Sequence, residues 1–175
     1  MKTLYLIRHG KAGWSEPQTS DFERTLNKRG QKDLKTMGSY LALKGVSPDL
    51  VLSSCALVAQ QTADGLLEKL DFNGEKHYLK ELYHSSVEST KEIIFAQERR
   101  VDTMFVVGHN PHLQELLNSL QEEHISKFPS LAIAAIEFDV AEWNEIEKVK
   151  GKLDFYIFPK QFQYYMPKQI RATLG

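Results

Sequence analysis

Two histidines occupy similar positions in this sequence of 175 residues. His9 lies in Arg8-His9-Gly10, directly after a short apolar run, and His109 lies in Gly108-His109-Asn110-Pro111 after another such run. Neutral imidazole is available as a nucleophile near pH 7, and the guanidinium of Arg8 presents paired donors that match phosphate oxygens. These residue types predict a pocket for phosphate or a similar anion, with imidazoles inside it.

The elements that must position these histidines are short buried strands alternating with helices. Three apolar runs predict parallel strands buried on both faces: 4–7, 50–52 and 104–107. Apolar residues at helical spacing predict the helices that follow them: 26–41, with Thr25 as its cap, 56–70, about 86–100, and 113–120. Because parallel strands bring their carboxyl ends to one edge of a sheet, both histidines should share one pocket there.

The remaining sequence predicts how the domain is completed. Two further strands are expected at 131–138 and 153–158, paired as an antiparallel edge. The fold class is therefore α/β, with three layers and a mostly parallel central sheet that has helices on both faces. We expect a single domain over residues 1–175, with about 161–175 as a surface tail because periodicity is weak there.

Composition excludes several classes of partner. The chain has 22 Lys and Arg against 23 Asp and Glu, so it lacks the excess positive charge that attracts nucleic acids. The single cysteine, Cys55, cannot form an intramolecular disulfide, which is typical of a reducing compartment. The apolar run at 4–7 is too short for a signal-peptide core or a membrane span. We expect a cytoplasmic protein with no nucleic-acid or membrane partner.

Other kinds of site fit the sequence less well. His109 and His112 are three residues apart, but no third ligand stands at a metal-binding spacing, so we expect no metal and no cofactor. A cysteine phosphatase would need an arginine in the loop after Cys55, and none is present. Glycine-rich nucleotide-binding loops are also missing. The other histidines lie in polar contexts and are expected on the surface: His77, His84 and His124.

The motifs together resemble a known family. Leu6-Ile7-Arg8-His9-Gly10-Lys11-Ala12 resembles the signature of the histidine phosphatase superfamily, which includes the phosphoglycerate mutases. Later segments look like the short SixA-type phosphohistidine phosphatases: Asp21-x-x-Arg24-x-Leu26-x-x-Arg29-Gly30, Val107-Gly108-His109-Asn110-Pro111 and Phe158-Pro159-Lys160. The similarity extends to about Lys160 and implies a phosphoglycerate mutase-like fold.

The resemblance also implies a mechanism. His9 would attack phosphorus and form a phosphohistidine intermediate that water hydrolyses without a metal. Arg8 and His109 would hold the phosphoryl oxygens. Glu81 and Asp21 are candidate general acids, or else solvated or capping carboxylates. The expected substrate is a protein phosphohistidine or a small phosphomonoester; a mutase is less favoured, because the chain is short and lacks a long insertion.

One position departs from the family pattern. Val58 stands where the family has an arginine that completes the phosphate pocket. Loss of one charged donor should cost about 1.5–3 kcal/mol, which is roughly 10- to 150-fold in binding or rate. Arg24 is a candidate to supply the missing charge by binding phosphate, or else a surface arginine near a helix start. The alternative function is a phosphate- or phosphoprotein-binding module with weak or no turnover.

Overall fold

The computed structural model describes residues 1–13 and 20–164, with the last two as backbone only. Its strands are β1 (Lys2–Arg8), β2 (Ala12–Gly13), β3 (Thr25–Leu26), β4 (Leu50–Ser54), β5 (Glu75–Leu79), β6 (Thr103–Gly108), β7 (Ile133–Phe138) and β8 (Lys152–Ile157). Its α-helices are α1 (Lys28–Leu43), α2 (Leu57–Glu68), α3 (Val87–Phe95), α4 (His112–Leu120) and α5 (Gln161–Tyr164). Short 3-10 helices cover Asp21–Glu23, Lys80–Leu82 and Trp143–Lys148.

The central sheet has the strand order β5-β4-β6-β1-β7-β8. Strands β5, β4, β6 and β1 run parallel, and β7 and β8 are antiparallel to their neighbours. The parallel register of β1 on β6 sets Arg8 opposite Gly108, so the next residues, His9 and His109, leave the sheet side by side. The predicted α/β fold class and the antiparallel edge are confirmed.

Alternating side chains of β1 explain why helices cover both faces of the sheet. Leu4 and Leu6 are fully buried in one apolar cluster with residues of α3 and α4. Tyr5 and Ile7 lie in a second cluster with residues of α1 and α2. A strand buried on both faces needs apolar residues at consecutive positions, which is why its sequence is a continuous apolar run.

Several boundaries differ from the prediction by one or more residues, among them those of α1 and α3. Helix α1 is capped by Asn27, whose Oδ1 accepts the N–H of Gly30 at 2.8 Å, while Thr25 belongs to β3 and pairs with Gly13. Helix α3 begins where expected, with Ser86 Oγ accepting the N–H of Ser89 at 3.0 Å, but it ends at Phe95 rather than near position 100.

The end of the described chain also differs from the prediction. Residues 161–164 form α5, and Phe162 is 8% exposed within the cluster that contains Tyr5 and Ile7. A surface tail therefore does not begin at 161. The rest of the predicted tail, 165–175, lies outside the described residues.

Candidate active site

The two histidines share one cleft at the carboxyl end of the parallel strands. Their ring centroids lie 5.0 Å apart in an edge-to-face arrangement. The backbone N–H of His9 donates to the carbonyl of Gly108 at 3.0 Å, and the carbonyl of His9 accepts from Leu131 at 3.1 Å. The cleft has a volume of about 380 Å³ and is lined by Arg8, His9, Asp21, Tyr83, His84, Ser85, His109, Asn110, Pro111 and His112.

The environment of His9 specifies its tautomer. Its Nδ1 lies 2.8 Å from the carbonyl oxygen of Gly10, and because a carbonyl only accepts, Nδ1 carries the hydrogen. Nε2 is then the atom with a free lone pair. Burial lowers the pKa of the His9 ring, and the charges of Arg8 and Arg24 lower it further. The ring is therefore neutral at pH 7, the form that a nucleophile needs.

His109 is held from the neighbouring strand. Its Nε2 lies 2.8 Å from Ser54 Oγ at the end of β4, and the same oxygen accepts the N–H of Ala56 at 3.2 Å. Burial, followed by the neighbouring His9 and His112, lowers the pKa of His109 to about 3. This imidazole is also neutral in the free protein, and a bound phosphate dianion would favour its protonation.

Arg8 is fixed by one side of its guanidinium. Its Nη1 donates to the carbonyl of Phe128 at 3.1 Å, and Asn110 Nδ2 donates to the same oxygen at 2.8 Å. The Nε of Arg8 is buried and has no hydrogen-bond partner among the described residues. Arg8 also lines the cleft, so its guanidinium is suited to binding an oxyanion there.

Asp21 links two other side chains at the cleft. Its carboxylate accepts from Tyr83 Oη at 2.9 Å and from Arg24 Nη1 at 3.1 Å. Partial burial raises the pKa of Asp21, but these two hydrogen bonds outweigh it, and the net pKa is lowered. Asp21 is therefore ionised at neutral pH, which makes it a poor proton donor. Arg24 also donates from Nη2 to the carbonyl of Ala12 at 3.2 Å, and its charge acts on His9.

Two other positions singled out by the sequence lie outside the cleft lining. Glu81 is exposed on the 3-10 helix Lys80–Leu82 and is not among the residues that line the cleft. Val58 is 3% exposed and packs in a small apolar cluster with Leu26 and Ala56. The structure thus places an apolar side chain at the start of α2, where the family pattern has an arginine.

The cleft contains two histidines that the sequence did not assign to it. His112, in the first turn of α4, is 9% exposed, and its ring centroid lies 6.5 Å from that of His109. His84 is exposed, as predicted, but it lines the cleft and has a φ of 54°, in the left-handed region that is rare for a residue other than glycine. The spacing of His112 three residues after His109 was visible in the sequence, whereas the turn at His84 had no local signal.

Within 1–13 and 20–164, no group of three or more His, Cys, Asp or Glu side chains is arranged to hold a metal ion. No helix in the same ranges combines the length and apolarity needed to cross a bilayer.

Comparison with known proteins identifies the superfamily of the chain. The model of the histidine phosphatase superfamily (branch 1) matches residues 4–93. A candidate phosphohistidine phosphatase SixA from Agrobacterium tumefaciens has a solved structure that is 27% identical, with a TM-score of 0.77, and the match covers 89% of this chain and 97% of that chain.

The match covers most of one relative and only a quarter of another. An uncharacterised chloroplastic protein of Arabidopsis thaliana is 24% identical over an alignment of 159 residues, and the match covers 86% of this chain and 72% of that protein. The mitochondrial serine/threonine-protein phosphatase Pgam5 of Drosophila simulans is 36% identical over 73 residues, which are 42% of this chain and only 25% of the phosphatase. These similarities support phosphatase activity in general, and the family match covers more than half of the sequence. The chain belongs to the histidine phosphatase superfamily, branch 1.

Proposed function

We propose that the protein is a metal-independent phosphatase in which His9 is the nucleophile. The observation that carries the proposal is the pair of imidazoles, with ring centroids 5.0 Å apart, in a cleft that Arg8 also lines. The hydrogen bond from Nδ1 to Gly10 leaves Nε2 of His9 available for attack. Arg8 and His109 are the proposed donors to the phosphoryl oxygens.

The proposed reaction has two steps. His9 Nε2 forms a bond to phosphorus while the bond from phosphorus to the leaving group breaks, and the bonding electrons depart with that group. Water then breaks the phosphorus–nitrogen bond, which releases inorganic phosphate and restores His9. Charge on the transferred group is greatest at its oxygens, where positioned donors such as Arg8 contribute most.

The weak acidity of the cleft carboxylate Asp21 favours a phosphohistidine substrate. Among the described residues that line the cleft, Asp21 is the only carboxylate, and its lowered pKa makes it a weak general acid. An alkyl phosphate needs a proton on its leaving oxygen, whereas a phosphohistidine that is already protonated on its other ring nitrogen leaves as neutral imidazole. We therefore propose protein phosphohistidine as the substrate, with small phosphomonoesters as the second choice and the cytoplasm as the location.

The test combines two substrates with three variants. An aryl phosphate and a phosphohistidine-bearing protein are each incubated with the protein, with and without a chelator, and we expect turnover in both conditions. Brief labelling with radioactive substrate should leave acid-labile phosphate on His9. His9→Ala should lose turnover and label, His109→Ala should be slower by about 100-fold or more, and His124→Ala is the control outside the cleft. Equal turnover in His9→Ala, or inhibition by chelator that added zinc reverses, would contradict the proposal.

A binding module with weak turnover is the alternative function, and Val58 is the observation that favours it. Its buried apolar surroundings provide no cation to replace the family's arginine at this position. Arg24 is the nearby candidate, because its charge already acts on His9.

Substitutions at these two positions separate the functions. If the missing cation limits turnover, Val58→Arg should raise kcat/KM by about tenfold or more, with Val58→Leu as the apolar control. If Arg24 serves in its place, Arg24→Ala should lower kcat/KM by a similar factor and Val58→Arg should change little. Tight phosphate binding without turnover, in the wild type and in Val58→Arg alike, would favour the binding module.

A further inference from the structure

A second concave surface lies beside the catalytic cleft. It has a volume of about 490 Å³ and is lined by Lys11, Arg29, Asp33, Lys127, Pro129, Ser130, Phe158, Pro159 and Lys160; we call it the basic groove. Its four cations face a single carboxylate, Asp33. That carboxylate is 8% exposed and is already paired with Arg29, whose Nε lies 3.1 Å from Asp33 Oδ1. The groove is therefore positive in a chain whose formal net charge is -1.

The lysines of the groove are available to a ligand. Lys11, Lys127 and Lys160 are all exposed, and none of them makes an ion pair with another described residue. Lys127 Nζ lies 5.1 Å from the ring centroid of Phe158, within cation–π distance. The aromatic ring and the two prolines are the apolar part of the groove lining.

The chain segments that line the groove are continuous with segments of the catalytic cleft. Lys11 follows His9 by two residues, and its carbonyl accepts the N–H of Asn27 at 3.0 Å. Lys127 precedes Phe128, whose carbonyl holds Arg8, and the Lys127 carbonyl accepts from Tyr156 Oη at 2.5 Å. A protein substrate whose phosphorylated side chain enters the cleft can therefore place its neighbouring residues at the groove.

We infer that the basic groove docks an acidic segment of the phosphoprotein whose phosphohistidine enters the cleft. This inference rests on the proposed function and adds a substrate class to it: proteins with Asp or Glu near the phosphorylated histidine. Exposed lysines on long side chains suit a protein surface, because rim charges mainly speed association and select partners. A site for a small anion would need buried, converging donors, and the groove lysines are solvated.

The experiment uses two synthetic peptides of equal length that carry phosphohistidine. One has three glutamates beside the histidine and the other has three glutamines. The wild-type protein should cleave the acidic peptide with a KM about three- to tenfold lower, and added salt should reduce the difference. Lys127→Glu with Lys160→Glu should remove or reverse the preference and leave kcat/KM for p-nitrophenyl phosphate within about twofold of wild type. Lys35→Glu with Lys148→Glu, two exposed lysines outside the groove, is the matched control.

A binding measurement separates this inference from the proposed function. The acidic peptide with unphosphorylated histidine, labelled with a fluorophore, should bind the wild type and the control variant more tightly than the Lys127→Glu, Lys160→Glu variant at low salt. Acidic-peptide binding without turnover of any substrate would keep the groove and reject the phosphatase. Turnover of both peptides with equal KM would keep the phosphatase and reject the groove. An aryl bisphosphate serves as a third substrate. If the Lys127→Glu, Lys160→Glu variant loses kcat/KM for this compound alone and treats both peptides like the wild type, the groove binds small dianions and docking of a protein is overturned.

Discussion

Neutral histidines are the main chemical feature of the cleft at the scale of single residues. Burial is the largest cause of the lowered pKa at His9, His109 and His112, so all three favour the uncharged ring in the free protein. Under the proposed function, a phosphate dianion bound in the cleft would favour the protonated form of His109. Under the same proposal, the free site keeps His9 neutral and able to attack, and His109 gains charge only when a ligand brings the opposite charge.

The pH dependence of kcat/KM follows from the lowered pKa of His9. This rate constant reports groups in the free enzyme, and His9, the proposed nucleophile, must be neutral to attack. Because its pKa lies below the ordinary 6.5, the neutral fraction at pH 6 exceeds that of a free histidine, and the acidic limb of the profile should lie below 6.5. The profile is measured with correction for ionisation of the substrate.

A direct titration provides the check on that assignment. The ring signals of His9, identified by their loss in His9→Asn, are followed by NMR against pH, and the same signals in urea give the unfolded value. The folded ring should release its proton at lower pH than the unfolded ring. A folded value at or above 6.5 would contradict the environment described for His9.

At the scale of elements, the start of α1 presses against the loop that follows His9. A Cβ built on Gly30 would lie 2.3 Å from the carbonyl oxygen of Lys11, a separation that requires the backbone to move. At the end of β6, by contrast, a Cβ on Gly108 would meet nothing closer than Leu113 Cδ1 at 3.7 Å. Gly30 is required because the backbone of Lys11 approaches it closely, whereas the surroundings of Gly108 have room for a Cβ atom.

Alanine at these two glycines should therefore have different effects. Alanine in a helix gains up to about 1 kcal/mol over glycine, but overpacking against Lys11 should outweigh this and leave Gly30→Ala less stable by about 1–3 kcal/mol. Gly108→Ala should change the free energy of unfolding by less than about 1 kcal/mol. Urea denaturation measures both, and equal stability of the two variants would contradict the close approach of α1 to Lys11.

The elements differ in how well their sequences reveal them. Strands β1, β4 and β6 are buried on both faces, so their apolar runs could be predicted. Strand β5 was missed because it lies at the sheet edge, where Glu75, Lys76 and His77 are exposed. Its polar side chains pair with other elements instead: Lys76 Nζ lies 2.8 Å from Oδ1 of Asp64 in α2.

The same distinction holds for the candidate site. His9 and His109 each follow a recognisable strand, and the register of β1 on β6 brings them together, so sequence reasoning found both. His84 enters the cleft through a left-handed turn after a 3-10 helix, and Asp21 is oriented by Tyr83, 62 residues away. Such positions depend on tertiary packing rather than on local periodicity.

On the scale of the whole molecule, the two ends of β1 have separate tasks. Its carboxyl end carries Arg8 into the cleft, whereas Lys2 at its other end is 2% exposed. Lys2 Nζ donates to the carbonyls of Arg99 and Val101, the latter at 2.7 Å, and lies 3.0 Å from Asp102 Oδ1. This buried cation joins β1 to the segment that enters β6, about 23 Å from His9 along the strand.

Replacing Lys2 should therefore affect stability and leave catalysis unchanged. Lys2→Met keeps the length of the side chain but leaves the Arg99 carbonyl without its lysine donor, while Trp143 Nε1 still donates to Val101 at 2.7 Å. The expected loss is about 2 kcal/mol, which corresponds to a fall in Tm of about 4–8 °C for a chain of this size. Lys152→Met, at an exposed lysine on β8, is the control and should melt like the wild type.

Below the melting transition, kcat/KM of Lys2→Met for p-nitrophenyl phosphate should equal that of the wild type. A large fall in kcat/KM with unchanged Tm would mean that the two ends of β1 are coupled rather than independent.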